Sequence, residues 1–79
     1  MRYFADERRH LICVPYTREN LLAMADDLDI PRHWYHGGTY PHIDMPARQV
    51  IRILDDPRVT IVSPREIVMM ARPDSGLLH

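Results

Sequence analysis

The stretch Val59-Thr60-Ile61-Val62-Ser63-Pro64-Arg65-Glu66 determines the fold class of this chain of 79 residues. Its first four residues are β-branched, which is typical of a short buried strand. Ser63 is followed by a proline and, three residues on, by Glu66, and this capping box predicts the start of a helix. A strand that passes directly into a helix indicates an α/β fold with at least one parallel strand pair.

The remaining elements are predicted from apolar spacing upstream of this stretch. Residues 2–5 and 11–15 hold the aromatic and β-branched types that favour strands. A helix is predicted from about residue 18 to 28, with Thr17 as its N-cap. A second helix is predicted to begin after its cap, Asp44, with Pro46 in the first turn, and to end before residues 55–57. Its apolar stripe is formed by Ala47, Val50, Ile51 and Leu54.

These elements predict a small single-domain α/β sandwich over residues 1–72, with a short, partly parallel sheet and about three helices. In this arrangement residues 59–62 form a central strand beside residues 11–14. The remaining residues, 73–79, are expected to be a flexible C-terminal tail.

The composition limits the classes of protein and partner. Apolar residues make up 46% of the chain, which is ordinary for a folded domain, and no window reaches the length of a membrane span. We therefore expect a cytoplasmic protein without a membrane partner. The net charge of −1 argues against a nucleic-acid partner, although all ten basic residues are arginine. The single cysteine, Cys13, lies in an apolar run and is expected to be a small buried hydrophobe.

The segment of residues 32–44 is where a functional site is expected. It holds three of the five histidines, the only tryptophan and two of the four tyrosines. It has neither helical nor strand periodicity, so we predict a loop. Long loops in compact domains are usually functional or disordered, and the aromatic content argues against disorder.

One hypothesis for this segment is a metal site. His42 and Asp44 are two residues apart, so an extended chain points both to the same side. His33 and His36 are three apart, so a helical turn would place them on one face. Three neutral imidazoles and a carboxylate suit a divalent metal such as zinc, although the spacing matches no established signature and no other cofactor is predicted.

A second hypothesis needs no metal. His42 and Asp44 form a catalytic acid–base pair, and Arg48 and Arg52, one and two helical turns after Asp44, bind a phosphate or carboxylate group. The alternative for Asp44 is a helix cap that pairs with Arg48. The aromatic side chains either stack on a flat ligand or close the small core: the core is favoured for Trp34, and both readings stay open for Tyr35 and Tyr40.

The chain resembles the DUF4031-like domains, a small bacterial and phage family of unknown function. The matching elements are Trp34-Tyr35-His36 and Pro41-His42-Ile43-Asp44. The early strand, Cys13 and the first helix also occupy corresponding positions in the family. Val14 and Leu22 replace family histidines, so a site built on those histidines would be absent here. The phage members, together with the all-arginine basic set, imply a phage or actinobacterial origin.

Two functions follow from these observations. The first is a phage-encoded interaction module that engages a host protein through the aromatic and histidine-rich segment 32–44. The alternative is a small hydrolase, or an enzyme handling nucleotides or phosphate ligands, that uses His42, Asp44 and Arg48. A deep pocket at His42 would favour the enzyme, and a flat apolar patch at Tyr35 and Tyr40 would favour the module.

A homodimer is also expected, because so small a core leaves apolar side chains such as Met69, Leu77 and Leu78 without burial.

Overall fold

A mixed five-stranded sheet forms the centre of the molecule. The computed structural model describes residues 1–71, and the predicted tail, with Leu77 and Leu78, lies outside them. The strands are β1 (Arg2–Ala5), β2 (His10–Val14), β3 (Tyr35–His36), β4 (His42–Asp44) and β5 (Val59–Ile61), and the helices are α1 (Arg18–Asp27), α2 (Val50–Leu54) and α3 (Pro64–Met70). The order across the sheet is β3-β4-β2-β1-β5, with β1 and β5 parallel and the other pairs antiparallel. The predicted α/β class with a partly parallel sheet and three helices is confirmed.

The core lies on both faces of the hairpin formed by β1 and β2. Leu11, Ile12 and Cys13 are successive residues of β2 and are all fully buried. Because successive strand residues point to opposite faces, both faces of β2 are covered by other parts of the chain. Burial raises the pKa of the Cys13 thiol to about 11, so the thiol is neutral at physiological pH, as expected for a small hydrophobe.

The predicted central position of residues 59–62 is wrong. β5 lies at the edge of the sheet and pairs in parallel with β1, which separates it from β2. Only Val59 of this strand is buried, whereas Thr60 and Ile61 are exposed. A run of β-branched residues favours a strand at an edge as well as in the centre, so the run alone does not fix the neighbour.

The segment 32–44 is not an irregular loop. It begins with a 3-10 turn at Arg32–Trp34 and continues into the hairpin of β3 and β4. These strands have two and three residues, and only Ile43 among them is fully buried, so they are too short to show an alternating pattern.

The second helix is shorter than predicted and rotated. A 3-10 turn at Ala47–Gln49 precedes α2, and Asp44 is a strand residue rather than its cap. Ile53 is the buried residue of α2, whereas Ile51 of the predicted stripe is 79% exposed. The tighter 3-10 turn changes the rotation at which the helix starts, so the residues that face the core differ from those of a continuous α-helix.

The other two helices begin as the sequence predicts. Thr17 accepts a hydrogen bond from the backbone N–H of Asn20 at the start of α1, and Leu21, Ala25 and Leu28 are buried. α3 begins with the predicted capping box between Ser63 and Glu66. Within residues 1–71 every helix is too short or too polar to span a lipid bilayer.

The capping box gives a direct test of how α3 is stabilised. Ser63→Ala removes the hydroxyl that accepts the N–H of Glu66, and we expect the free energy of unfolding to fall by about 1 kcal/mol in urea titration. Ser63→Asp retains an acceptor and should keep stability close to that of the wild type. An unchanged stability in Ser63→Ala would contradict the contribution of this cap.

Candidate metal centre

The pairing of three strands places four ionisable side chains on one face of the sheet. His10 of β2 lies opposite Asp44 of β4, and His36 of β3 lies opposite His42 of β4. Directly opposed residues share a face, and so do His42 and Asp44, which are two apart on an extended strand. Side chains that are up to 34 positions apart in the sequence therefore meet at adjacent positions of the sheet.

A buried carboxylate fixes the ring of His10. Asp6 is fully buried in the turn between β1 and β2, and its Oδ1 accepts hydrogen bonds from the backbone N–H groups of Arg8 and His10. Its Oδ2 lies 2.8 Å from Nδ1 of His10. Nδ1 therefore carries a hydrogen, and the neutral ring has its lone pair on Nε2.

His42 has the same protonation pattern for a different reason. Its Nδ1 lies 2.8 Å from the backbone carbonyl oxygen of Tyr40, which can only accept, so Nδ1 is the donor. Its Nε2 lies 3.0 Å from Oδ1 of Asp44. In the neutral ring Nε2 is a lone pair that faces a carboxylate oxygen. This contact is favourable only when a proton or a cation lies between the two atoms.

His36 contacts Oδ2, the other carboxylate oxygen of Asp44. Nε2 of His36 lies 2.7 Å from Oδ2 of Asp44, and the rings of His36 and His42 are stacked with their centroids 5.4 Å apart. The ring of His10 meets that of His42 edge to face at 5.0 Å. The carboxylate is thus oriented from one side by His36, and its Oδ1 faces His42.

Three of these side chains could hold a metal ion. His10, His42 and Asp44 each offer one ligand atom, and these atoms lie within 4.8 Å of one another. Zinc ligands about 2.0–2.1 Å from the ion are at most about 4.2 Å apart, so small side-chain rotations would bring the three atoms into place. Two imidazole nitrogens and one carboxylate oxygen are a donor set that divalent transition metals accept.

The histidines open into a cleft of about 300 Å³. His10, His36 and His42 line one part of it, and Ile67, Val68 and Ala71, from α3 and the residue after it, line another. The tip of the β3–β4 hairpin, with Tyr40, completes the lining. Solvent and a small ligand can therefore reach the three histidines.

Tyr16 anchors the hairpin beside the histidines. It is fully buried, and its hydroxyl donates a hydrogen bond of 2.7 Å to the backbone carbonyl of Pro41, next to His42. Burial raises the pKa of the Tyr16 hydroxyl above its usual value, so the hydroxyl stays protonated and continues to donate.

Several residues predicted for the site lie elsewhere. His33 is in a 3-10 turn with its ring 5.4 Å from that of Trp34, and no helical turn joins it to His36. Trp34 packs against the core. Arg48 does not line the cleft, and Arg52 donates a hydrogen bond to the backbone carbonyl of Leu28.

Tyr35 and Tyr40 differ in their surroundings. Tyr35 packs against the core, and the guanidinium of Arg18 lies 5.4 Å from the centre of its ring. Tyr40 is exposed at the cleft. The structure thus favours packing for Tyr35 and leaves Tyr40 available to a ligand.

The site predicted from the sequence lacks His10 and the carboxylate that fixes its ring, Asp6. The stretch Asp6-Glu7-Arg8-Arg9-His10 is typical of a solvated turn between strands. The sequence does contain a signal for this contact. In tight turns an aspartate often accepts the backbone N–H of the second residue after it, and here a histidine begins the next strand. That pattern is common, and without the strand pairing it does not indicate a site.

Comparisons with protein-family models, with curated proteins and with solved structures gave no significant match. The resemblance to the DUF4031-like domains therefore stays a prediction.

The tautomer of His10 tests the role of Asp6. In Asp6→Asn the amide oxygen can keep the two backbone N–H groups, so the amide NH₂ must face Nδ1 of His10. We expect the hydrogen of the neutral ring to move from Nδ1 to Nε2, as measured by ¹⁵N NMR of the imidazole nitrogens. The loss of the charged acceptor should cost about 1–3 kcal/mol of stability.

His33 is the internal control for this experiment, because its ring lies in the turn Arg32–Trp34 and should give the same spectrum in both proteins. A His10 ring that keeps its hydrogen on Nδ1 in Asp6→Asn would show that Asp6 does not set the tautomer.

Proposed function

We propose that this chain is a small metal-dependent hydrolase whose divalent cation, such as zinc, is bound by His10, His42 and Asp44. The observation that carries the proposal is the direction of the ring nitrogens. Nδ1 of His10 and Nδ1 of His42 each face an oxygen acceptor, so in the neutral form of each ring Nε2 is the nitrogen that can bind a cation. A metal-binding histidine usually donates its other ring N–H to a carboxylate or a backbone carbonyl, and these are the two acceptors present.

The charges of the cluster support a divalent cation. The cluster combines two carboxylates, Asp6 and Asp44, with three imidazoles, which carry no charge in their neutral form. A divalent cation would neutralise this pair of carboxylates. When the ring of His42 is neutral, the cation would also bind both Nε2 of His42 and Oδ1 of Asp44, two atoms that otherwise repel each other.

The number of ligands and the cleft support catalysis rather than a purely structural metal. Structural zinc sites are closed by four protein ligands, whereas catalytic sites have three and keep a position for water. Here three side chains converge, and two of them, His10 and His42, line a cleft of about 300 Å³. A zinc-bound water has a pKa of about 7, which supplies a nucleophile at neutral pH.

This proposal keeps the small hydrolase of the sequence-based hypotheses but assigns its site to a different set of residues. His42 and Asp44 become metal ligands rather than an acid–base pair. Arg48 and Arg52 have no part in the proposal, since neither is a metal ligand and neither lines the cleft where a substrate would bind.

The interaction module is the second candidate. In this alternative a phage-encoded protein binds a host protein through residues 32–44, and the exposure of Tyr40 supports it. A homodimer is a proposal of the same kind, supported by the exposure of Met69 and Ile61. The cleft that converges on His42 favours the enzyme over both.

Zinc titration tests the proposal. We expect isothermal titration calorimetry of the metal-free protein to give one zinc ion per chain, with an increased melting temperature in the zinc-bound form. His42→Ala should weaken zinc binding by about 100-fold or more, because it removes a ligand and not merely a supporting contact.

His33→Ala is the matched control, because His33 belongs to the same segment but lies outside the cluster. Its zinc affinity should equal that of the wild type. A zinc affinity that His42→Ala leaves unchanged, or that His33→Ala lowers as much as His42→Ala does, would contradict the proposed ligand set.

A further inference from the structure

The α3 wall of the cleft is apolar. Ile67, Val68 and Ala71 form it, and the first and last of these are buried against the core. Val68 is 45% exposed, so its side chain presents apolar surface that a ligand in the cleft would cover. Tyr40 lines the same cleft and is 43% exposed, which adds an aromatic ring to the available surface.

The described lining carries no permanent positive charge. Of the ten arginines, all but Arg72 fall within the described residues, and none of these nine lines the cleft. Sites for phosphate groups usually offer arginine or lysine side chains, or the N-terminus of a helix. The N-terminal residues of α3, Pro64 and Arg65, are likewise outside the lining.

We infer that this cleft takes an uncharged acyl compound, an ester or an amide, that carries a small apolar or aromatic group. The inference rests on the proposed function: the carbonyl oxygen would meet the cation held by His10, His42 and Asp44, and the apolar group would cover Val68 beside Tyr40. The volume of about 300 Å³ is at the lower end for small-molecule sites, which fits a small ligand rather than a polymer.

The reaction at such a site is hydrolysis and is balanced without a further reactant. A water bound to a cation at His10, His42 and Asp44 would supply the oxygen that bonds to the carbonyl carbon, and that water would give up one proton. The bond from the carbon to the alcohol oxygen or amine nitrogen would break, its electron pair would leave with that oxygen or nitrogen, and the leaving group would take up the proton. The products are a carboxylic acid and an alcohol or amine, with no oxidation or reduction.

The affinities of simple zinc-binding probes test this ligand class. We expect the zinc-loaded full chain to bind benzohydroxamate about tenfold more tightly than acetohydroxamate in calorimetric titration, because the phenyl ring covers the apolar wall. Val68→Ser should reduce this ratio severalfold. Met69→Ser is the control, because Met69 is the next residue of α3, is 56% exposed and lies outside the lining, so the ratio should stay as in the wild type.

The results that overturn the inference are distinct from those that overturn the proposed function. Tighter binding of phenylphosphonate than of benzohydroxamate, or a hydroxamate ratio that Val68→Ser leaves unchanged, overturns the inference while zinc binding stands. Faster hydrolysis of 4-nitrophenyl phosphate than of 4-nitrophenyl benzoate does the same. A chain that binds no zinc, or zinc-loaded protein that hydrolyses neither ester faster than free zinc does, overturns both.

Discussion

The buried carboxylate of Asp6 is the group on which both the sheet and the site depend. It accepts two backbone N–H groups in the turn that joins β1 to β2, so it stabilises the hairpin at the centre of the sheet. In this turn Arg9 has a φ of 71°, a conformation that most residues avoid, and its carbonyl accepts the N–H of Met45 just after β4. The same carboxylate binds Nδ1 of His10 and so determines which ring nitrogen faces the cleft.

Strand register then determines which side chains join His10. β4 is only three residues long, yet its pairing with β2 and β3 sets the neighbours of both His42 and Asp44. A shift of β4 by one residue would turn His42 and Asp44 to the opposite face and bring Ile43 into the site. Ile43 is fully buried, and the hydroxyl of Tyr16 holds the carbonyl of Pro41, so burial and a hydrogen bond both oppose that shift.

Local signals in the sequence predicted the elements, but not their neighbours. The capping box at Ser63 depends on four consecutive residues, and α3 begins there. The position of β5 depends on β1, more than 50 residues earlier in the chain, and β-branched residues carry no information about that distant partner. For the same reason the sequence indicates a site at His42 and Asp44, which are close in sequence, but does not indicate His10. His10 reaches them only through strand pairing.

The proposal of a metal enzyme depends on the orientation of three donor atoms, which belong to His10, His42 and Asp44. X-ray absorption spectroscopy of the zinc-loaded chain measures those atoms directly. A zinc ion bound by His10, His42 and Asp44 should have a first shell of nitrogen and oxygen only, at about 2.0–2.1 Å, with the outer-shell scattering of two imidazole rings. A sulfur neighbour at about 2.3 Å would instead indicate Cys13, which is buried in the core. Such a sulfur signal, or the absence of imidazole scattering, would contradict a centre built from His10, His42 and Asp44.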